Sequence, residues 1–200
     1  MKVVWANFGN TAILKMSRVF GVIAEDKSDV AVIREILSMY FESQSFSLKH
    51  YAKGGCGKVK RKCSSWAKNL HMRGCQIIII VHDRDKNNVN YLQKDLKNRI
   101  EAANIDNYLI VIPIQEIEAW LLADPGALMA AFNLRERPKI VADTESIDSP
   151  KYYLRKLMRS RYNKIYIHTT HNAKIASHMN IENLRKCQSF KVLDEYLSSL

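Results

Sequence analysis

The chain has 200 residues, 47% of them hydrophobic, and its 31 Lys+Arg against 20 Asp+Glu give a formal net charge of +11. That is enough chain and enough apolar material for one ordinary domain with a sizeable core, which excludes wholesale disorder. The positive surplus points to a polyanionic partner, nucleic acid or an anionic membrane surface, and carries no information about fold.

Residues 1–16 show no periodicity and read as an N-terminal extension, with Met16 a second candidate start. Val19–Ala24 is short and continuously apolar, the pattern of a buried strand. It ends in Glu25-Asp26-Lys27-Ser28-Asp29, after which Val30, Ile33, Ile36, Leu37 and Tyr40 recur at helical spacing, with Ser28 or Asp29 as the N-cap. Phe46–Tyr51 alternates weakly and predicts a second strand. Lys53–Lys58 is a glycine-rich loop, and a basic helix follows from Val59 to Met72. Gln76–His82 is the strongest strand signal in the chain and runs into Asp83-Arg84-Asp85. An amphipathic helix over Asn88–Ala103, a strand over Tyr108–Pro113 and a helix over Glu116–Leu122 come next. Beyond Pro125 the pattern is mostly helical, with Arg135–Pro150 a loop into a C-terminal helical part. Strands that are apolar throughout and alternate with helices predict an α/β fold, a parallel sheet flanked by helices on both faces. The expected organisation is an α/β core over 17–132 and a basic, mostly helical part over 133–200 packed on it.

No stretch reaches ~18 apolar residues, so no transmembrane helix and no membrane partner are expected. Trp5–Asn10 interrupts any signal-peptide core, which places the protein in the cytoplasm. Cys56, Cys63, Cys75 and Cys187 fit that compartment as reduced thiols. No pair has CxxC spacing, and Cys63, His71 and Cys75 would lack a fourth ligand for zinc.

Three predicted strands end beside acids: Glu25 with Asp29, then Asp83 with Asp85, then Glu116 with Glu118. In a parallel sheet these ends share one edge, where gathered carboxylates repel one another. A hard divalent cation, Mg2+ or Mn2+, removes that cost and prefers oxygen ligands. Asp83 and Asp85 are two apart, so a regular strand would point both to one face. Each pair alone has a local explanation, since acids are common in turns and in the first turn of helices, where Glu116 and Glu118 fall. Together they outline a site for one or two metals acting on a phosphate.

The stretches GVIAEDKSD and IIIIVHDRD resemble the Toprim fold of primases, topoisomerases and the nucleases of the overcoming-lysogenization-defect family. VIPIQEIEAWLLAD and NAKIASHMNIENLRKCQSF resemble small bacterial Toprim-like proteins of unassigned function, often found with ATPases in antiviral defence. The resemblance covers roughly residues 17–198. It implies a Toprim-like, Rossmannoid sheet, with Glu25 as acid/base or metal-linked carboxylate and Asp83 and Asp85 as metal ligands. Asp29 would be the second acid of the nuclease branch, and Lys174 would neutralise transition-state charge. Asp26 stands where the resemblance calls for Gly, which predicts a left-handed backbone there.

Lys151–Lys164 holds six cations and no acid, with Lys151, Arg155 and Arg159 at i, i+4 spacing and Arg161 beyond. Tyr152, Tyr153 and Tyr162 are interleaved and could stack unpaired bases. A second basic cluster includes Lys58, Lys60 and Arg61. Gly54–Lys58 is not a P-loop, because Ala52 and Val59 stand where GxxxxGK[ST] needs Gly and Ser/Thr. Both clusters are read as nucleic-acid-binding. His82 ends the apolar strand, where it either tunes the neighbouring acids or, as is more common for such a residue, finds a backbone partner; His168 and His171 read as structural. The expectation is a Mg2+- or Mn2+-dependent nuclease on DNA or RNA, an effector of bacterial antiphage defence with an ABC-type ATPase partner, its oligomeric state open. The rivals are a non-catalytic nucleic-acid-binding or adaptor subunit and a phosphate-transfer enzyme acting on small molecules.

Overall fold

The computed structural model describes residues 17–200, so the expectations for the extension and for Met16 lie outside the described residues. Four strands, β1 (Arg18–Ala24), β2 (Phe46–Ala52), β3 (Ile77–Val81) and β4 (Tyr108–Val111), form one parallel sheet in the order β2-β1-β3-β4. Between them run α1 (Lys27–Tyr40), α2 (Cys56–Met72) and α3 (Val89–Glu101). After β4 come α4 (Glu118–Leu122), α5 (Pro125–Phe132), α6 (Pro150–Tyr162), α7 (His168–Ala176), α8 (Ile181–Leu184) and α9 (Lys191–Ser198), with a short 3-10 turn at Thr144–Ser146 in the Arg135–Pro150 loop.

The central strands are apolar on both faces because both faces are covered. Phe20, Val22 and Ala24 of β1 and Ile77, Ile79 and Val81 of β3 point into one core, with α1 and the helices after β4. Ile23, Ile78 and Ile80 point into the other, with Leu70 of α2 and Leu92, Leu96 and Ile100 of α3. The chain moves from β1 to β2 in one direction and from β2 back across to β3 and β4 in the other. Right-handed crossovers then put α1 on the face opposite α2 and α3. Leu154, Met158, Ile175, Phe190 and Leu193, which follow residue 133, are buried in one cluster with Val32 and Ile36 of α1. No helix among the described residues is long and apolar enough to cross a membrane.

Several boundaries differ from the sequence reading. The N-cap of α1 is Asp26, not Ser28 or Asp29: its Oδ1 accepts from Ser28 N at 2.6 Å, while Asp29 Oδ2 accepts from Asp26 N at 3.1 Å. Asp26 is extended, at φ −140°, so no left-handed turn follows Glu25. Helix α2 starts at Cys56, three residues early, because Gly55 at φ 72° makes the turn that admits the chain to it. The last predicted helix starts at Glu118, which leaves Glu116 outside it.

Gly21 of β1 has no room for a side chain: a Cβ there would meet Ile78 Cδ1 at 2.7 Å and the Cβ atoms of Cys75 and Leu70 at 3.2 Å. Gly21→Ala is expected to lower stability by about 1–3 kcal/mol through overpacking, read as a lower urea midpoint; an unchanged midpoint would show that the strand and α2 can part freely.

Candidate active site

The sheet order places the reversal of chain direction between β1 and β3, where the segments leaving the two strands diverge and open a crevice at the carboxyl edge. Glu25 leaves β1 and Asp83 follows β3, so both line that crevice. Asp83 N donates to Glu25 Oε1 at 3.3 Å, and His82 Nδ1 stands 3.5 Å from the same oxygen. Asp83 is buried and its Oδ1 accepts from Ile117 N at 3.0 Å, which ties the end of β3 to the entry of α4. Asp29 is buried in the first turn of α1. Glu118, at the start of α4, is fully buried.

These carboxyls are coupled. Burial raises Glu25 from 4.5 to about 7, with the Asp85 charge adding to the rise and the Lys151 ammonium opposing it. Burial, then Asp26 beside it, raises Asp29 from 3.8 to about 8. Burial, then Asp29, Glu25 and Glu118, push Asp83 well above its ordinary value. Glu118 is raised by burial and held back chiefly by Lys151 and by its hydrogen bond from Asn172. Lys151 Nζ is 3.5 Å from Glu118 Oε1, which also accepts from Tyr166 Oη at 3.2 Å and Asn172 Nδ2 at 3.1 Å. The other Glu118 oxygen, Oε2, is buried with no hydrogen-bond partner among the described residues.

Asp85 reaches the site by a different route from the one expected. Strand β3 stops at Val81, so period-two alternation does not place Asp83 and Asp85 on one face. Asp85 sits instead in the left-handed region at φ 49°, and its N–H bonds the carbonyl of Gln115, also left-handed at φ 63°. Two non-glycine residues held there are locally strained. Asp85, Gln115, Glu116 and Asp148 line a polar cavity of about 420 Å3 at the mouth of the crevice. Glu116 uses Oε2 to cap α6, accepting from Lys151 N at 2.8 Å.

The basic residues divide. Lys151 turns inward and is the counter-charge of the acids rather than part of an outward stripe. Lys174 is exposed on α7, and the ammonium that faces the carboxyls is that of Lys151 instead. Lys58, Lys60 and Arg61 lie in the first turns of α2 at the same sheet edge, Lys60 Nζ being 3.3 Å from Asn87 Oδ1 in the loop after Asp85. Arg155, Arg159 and Arg161 are exposed on α6. Of the three tyrosines, only Tyr152 is exposed, whereas Tyr153 and Tyr162 pack against the core. The 3.6-residue periodicity of α6 would have shown this for Tyr153 and Tyr162, which stand beside Leu154 and Met158. No local signal marked Tyr166 or Asn172.

The donor set suits a hard cation in its several carboxyl groups, one of which has a buried oxygen with no hydrogen-bond partner among the described residues, while the Lys151 ammonium competes for the same charge. Among the described residues no group of three or more His, Cys, Asp or Glu side chains is arranged to hold a metal ion as it stands. One oxygen of each of two carboxyls, Asp29 Oδ2 and Asp83 Oδ1, already accepts a backbone N–H. The fit is one of donor chemistry and unbalanced charge.

A pH dependence follows. A carboxyl whose pKa is raised on folding contributes stability that is full below its unfolded value and is lost as pH rises through its folded value. For Glu25 and Asp29 the loss runs from about 4 up to about 7 and about 8. In chelator, the urea midpoint is expected to fall between about pH 5 and about pH 8, and Mn2+ is expected to restore it at the upper end. A midpoint that rises across this interval would contradict the clustering of the carboxyls.

Residues 24–197 match the model of the family described as a domain of unknown function, DUF4276. No curated protein and no solved structure matches the chain.

Proposed function

The chain belongs to the DUF4276 family, a domain of unknown function, and from the crevice between β1 and β3 we propose that it is a divalent-metal-dependent nuclease hydrolysing phosphodiester bonds of DNA or RNA. The observation that carries this reading is the meeting of Glu25 and Asp83, with Asp29 and Glu118 coupled to them, around one lysine in a strongly basic chain. Glu25, Asp29, Asp83, Asp85 and Glu118 would hold Mg2+ or Mn2+, with Glu116 beside them. The bound cation supplies charge neutralisation and Lewis acidity at a phosphate. Lys151 pairs with a non-bridging phosphate oxygen, and Glu25, less buried than Asp29, Asp83 and Glu118, takes the proton of the attacking water. Lys58, Lys60 and Arg61 hold neighbouring phosphates of the strand.

The resemblance to Toprim-like proteins met beside defence ATPases supports a wider version: a cytoplasmic antiphage effector working with an ABC-type ATPase. A second reading, a non-catalytic nucleic-acid-binding subunit, is favoured by Lys151, which already balances part of the acid charge without a metal. Calorimetric titration with Mn2+ separates the two. Wild type is expected to bind Mn2+ and to degrade single- or double-stranded nucleic acid with it. Asp83→Asn/Asp85→Asn is expected to do neither; equal heats from both proteins would sink the metal site.

A further inference from the structure

A cavity of about 490 Å3 lies between α6 and the segment from Lys164 to His168. Its floor is apolar, with Ile165 and Ile167 63% and 47% exposed. Arg155, Arg159 and Lys164 line it, and among the described lining residues there is no carboxylate. It adjoins the crevice at two points. Tyr166, between the two isoleucines in sequence, is buried with its hydroxyl 2.5 Å from Asn172 Oδ1 and 3.2 Å from Glu118 Oε1, and His168 Nε2 is 3.4 Å from Asp26 Oδ2, next to Glu25. Lys151 is one helical turn before Arg155 on α6.

We propose that this cavity seats an unpaired nucleotide, so that the substrate of the crevice is a single strand of DNA or RNA rather than a duplex. The proposal rests on the nuclease reading for its chemistry and adds the substrate class. Two isoleucines held open to water inside a ring of cations suit a ligand that is anionic and has a bare apolar face. A duplex offers its phosphates outward and keeps its bases stacked, which would satisfy the cations and leave the isoleucines wet. An unpaired nucleotide satisfies both, its phosphates on Arg155, Arg159 and Lys164 and its base on the isoleucine floor. The contact is sequence-tolerant, since every base has such a face.

The test is fluorescence anisotropy in chelator, at fixed salt, with labelled oligothymidylate, labelled oligouridylate and a duplex of equal length. Wild type is expected to bind at least one single strand about tenfold tighter than the duplex. Ile167→Ser, uncharged and at an exposed position, is expected to cost about tenfold in single-strand affinity and leave duplex affinity unchanged, whereas Arg155→Ala/Arg159→Ala weakens both. Preference between the two single strands identifies DNA or RNA as the source. Equal binding of single strand and duplex, or indifference to Ile167→Ser, overturns the proposal and leaves the apolar floor to a protein partner. Binding is read without metal, so it is separable from cleavage. Cleavage with Mn2+ by wild type, together with single-strand binding that ignores Ile167→Ser, keeps the nuclease reading and loses the cavity. Selective single-strand binding with no cleavage keeps the cavity and loses the nuclease reading.

Discussion

Asp83→Asn is expected to lower metal-dependent cleavage at least about a hundredfold while leaving the fold in place. Asparagine is the informative replacement because Asp83 has two tasks. Its Oδ1 accepts from Ile117 N at 3.0 Å in a buried position, and an amide oxygen can continue to do so. Alanine would strand that N–H, at a cost of roughly 1–3 kcal/mol, and confuse loss of structure with loss of chemistry. What asparagine removes is the negative charge that couples to Asp29, Glu25 and Glu118. Removing one charge from a mutually repelling set also relieves strain, so the variant is expected to unfold at a higher urea concentration than wild type near pH 8. Cleavage that survives in a more stable Asp83→Asn protein would place the chemistry elsewhere.

Lys151→Met is expected to destabilise the metal-free protein by about 3 kcal/mol near pH 8, the usual consequence of stripping the partner from a buried charge. Lys151 opposes the upward shifts of Glu25, Asp29, Asp83 and Glu118 together, so its loss is felt by all of them. Near pH 5, where raised carboxyls keep their protons, the loss is expected to shrink well below its alkaline value. Adding Glu118→Gln to Lys151→Met should recover part of the stability, because the residue 3.5 Å away no longer carries a charge to be balanced. Equal losses at both pH values, with no recovery in the double variant, would reduce Lys151 to a packing role.

The reach of sequence reasoning can be traced residue by residue. The isoleucines of Ile77–Val81 announce a strand buried on both faces, and such strands imply a parallel sheet with its carboxyl ends together. The same logic puts Glu25 and Asp83 at one edge, where Asp83 N donates to Glu25 Oε1. It failed at Asp85, because alternation holds only while the strand lasts and β3 stops at Val81. Glu116 and Glu118 were indistinguishable as neighbours in a helix start. A boundary two residues later leaves one as a cap for α6 and buries the other completely. Spacing on α6 showed that Lys151, Arg155 and Arg159 share a side but not what that side meets. Tyr166 and Asn172 reach Glu118 across 48 and 54 residues, a closeness that only the packing of the C-terminal helices creates.

Glu118 is held by groups that the ribosome adds last: Lys151, Tyr166 and Asn172 all follow the four strands. A chain folded only as far as its sheet therefore carries Glu118 without the ammonium, hydroxyl and amide that hold it, and the balance of charge in the crevice is a property of the C-terminal helices.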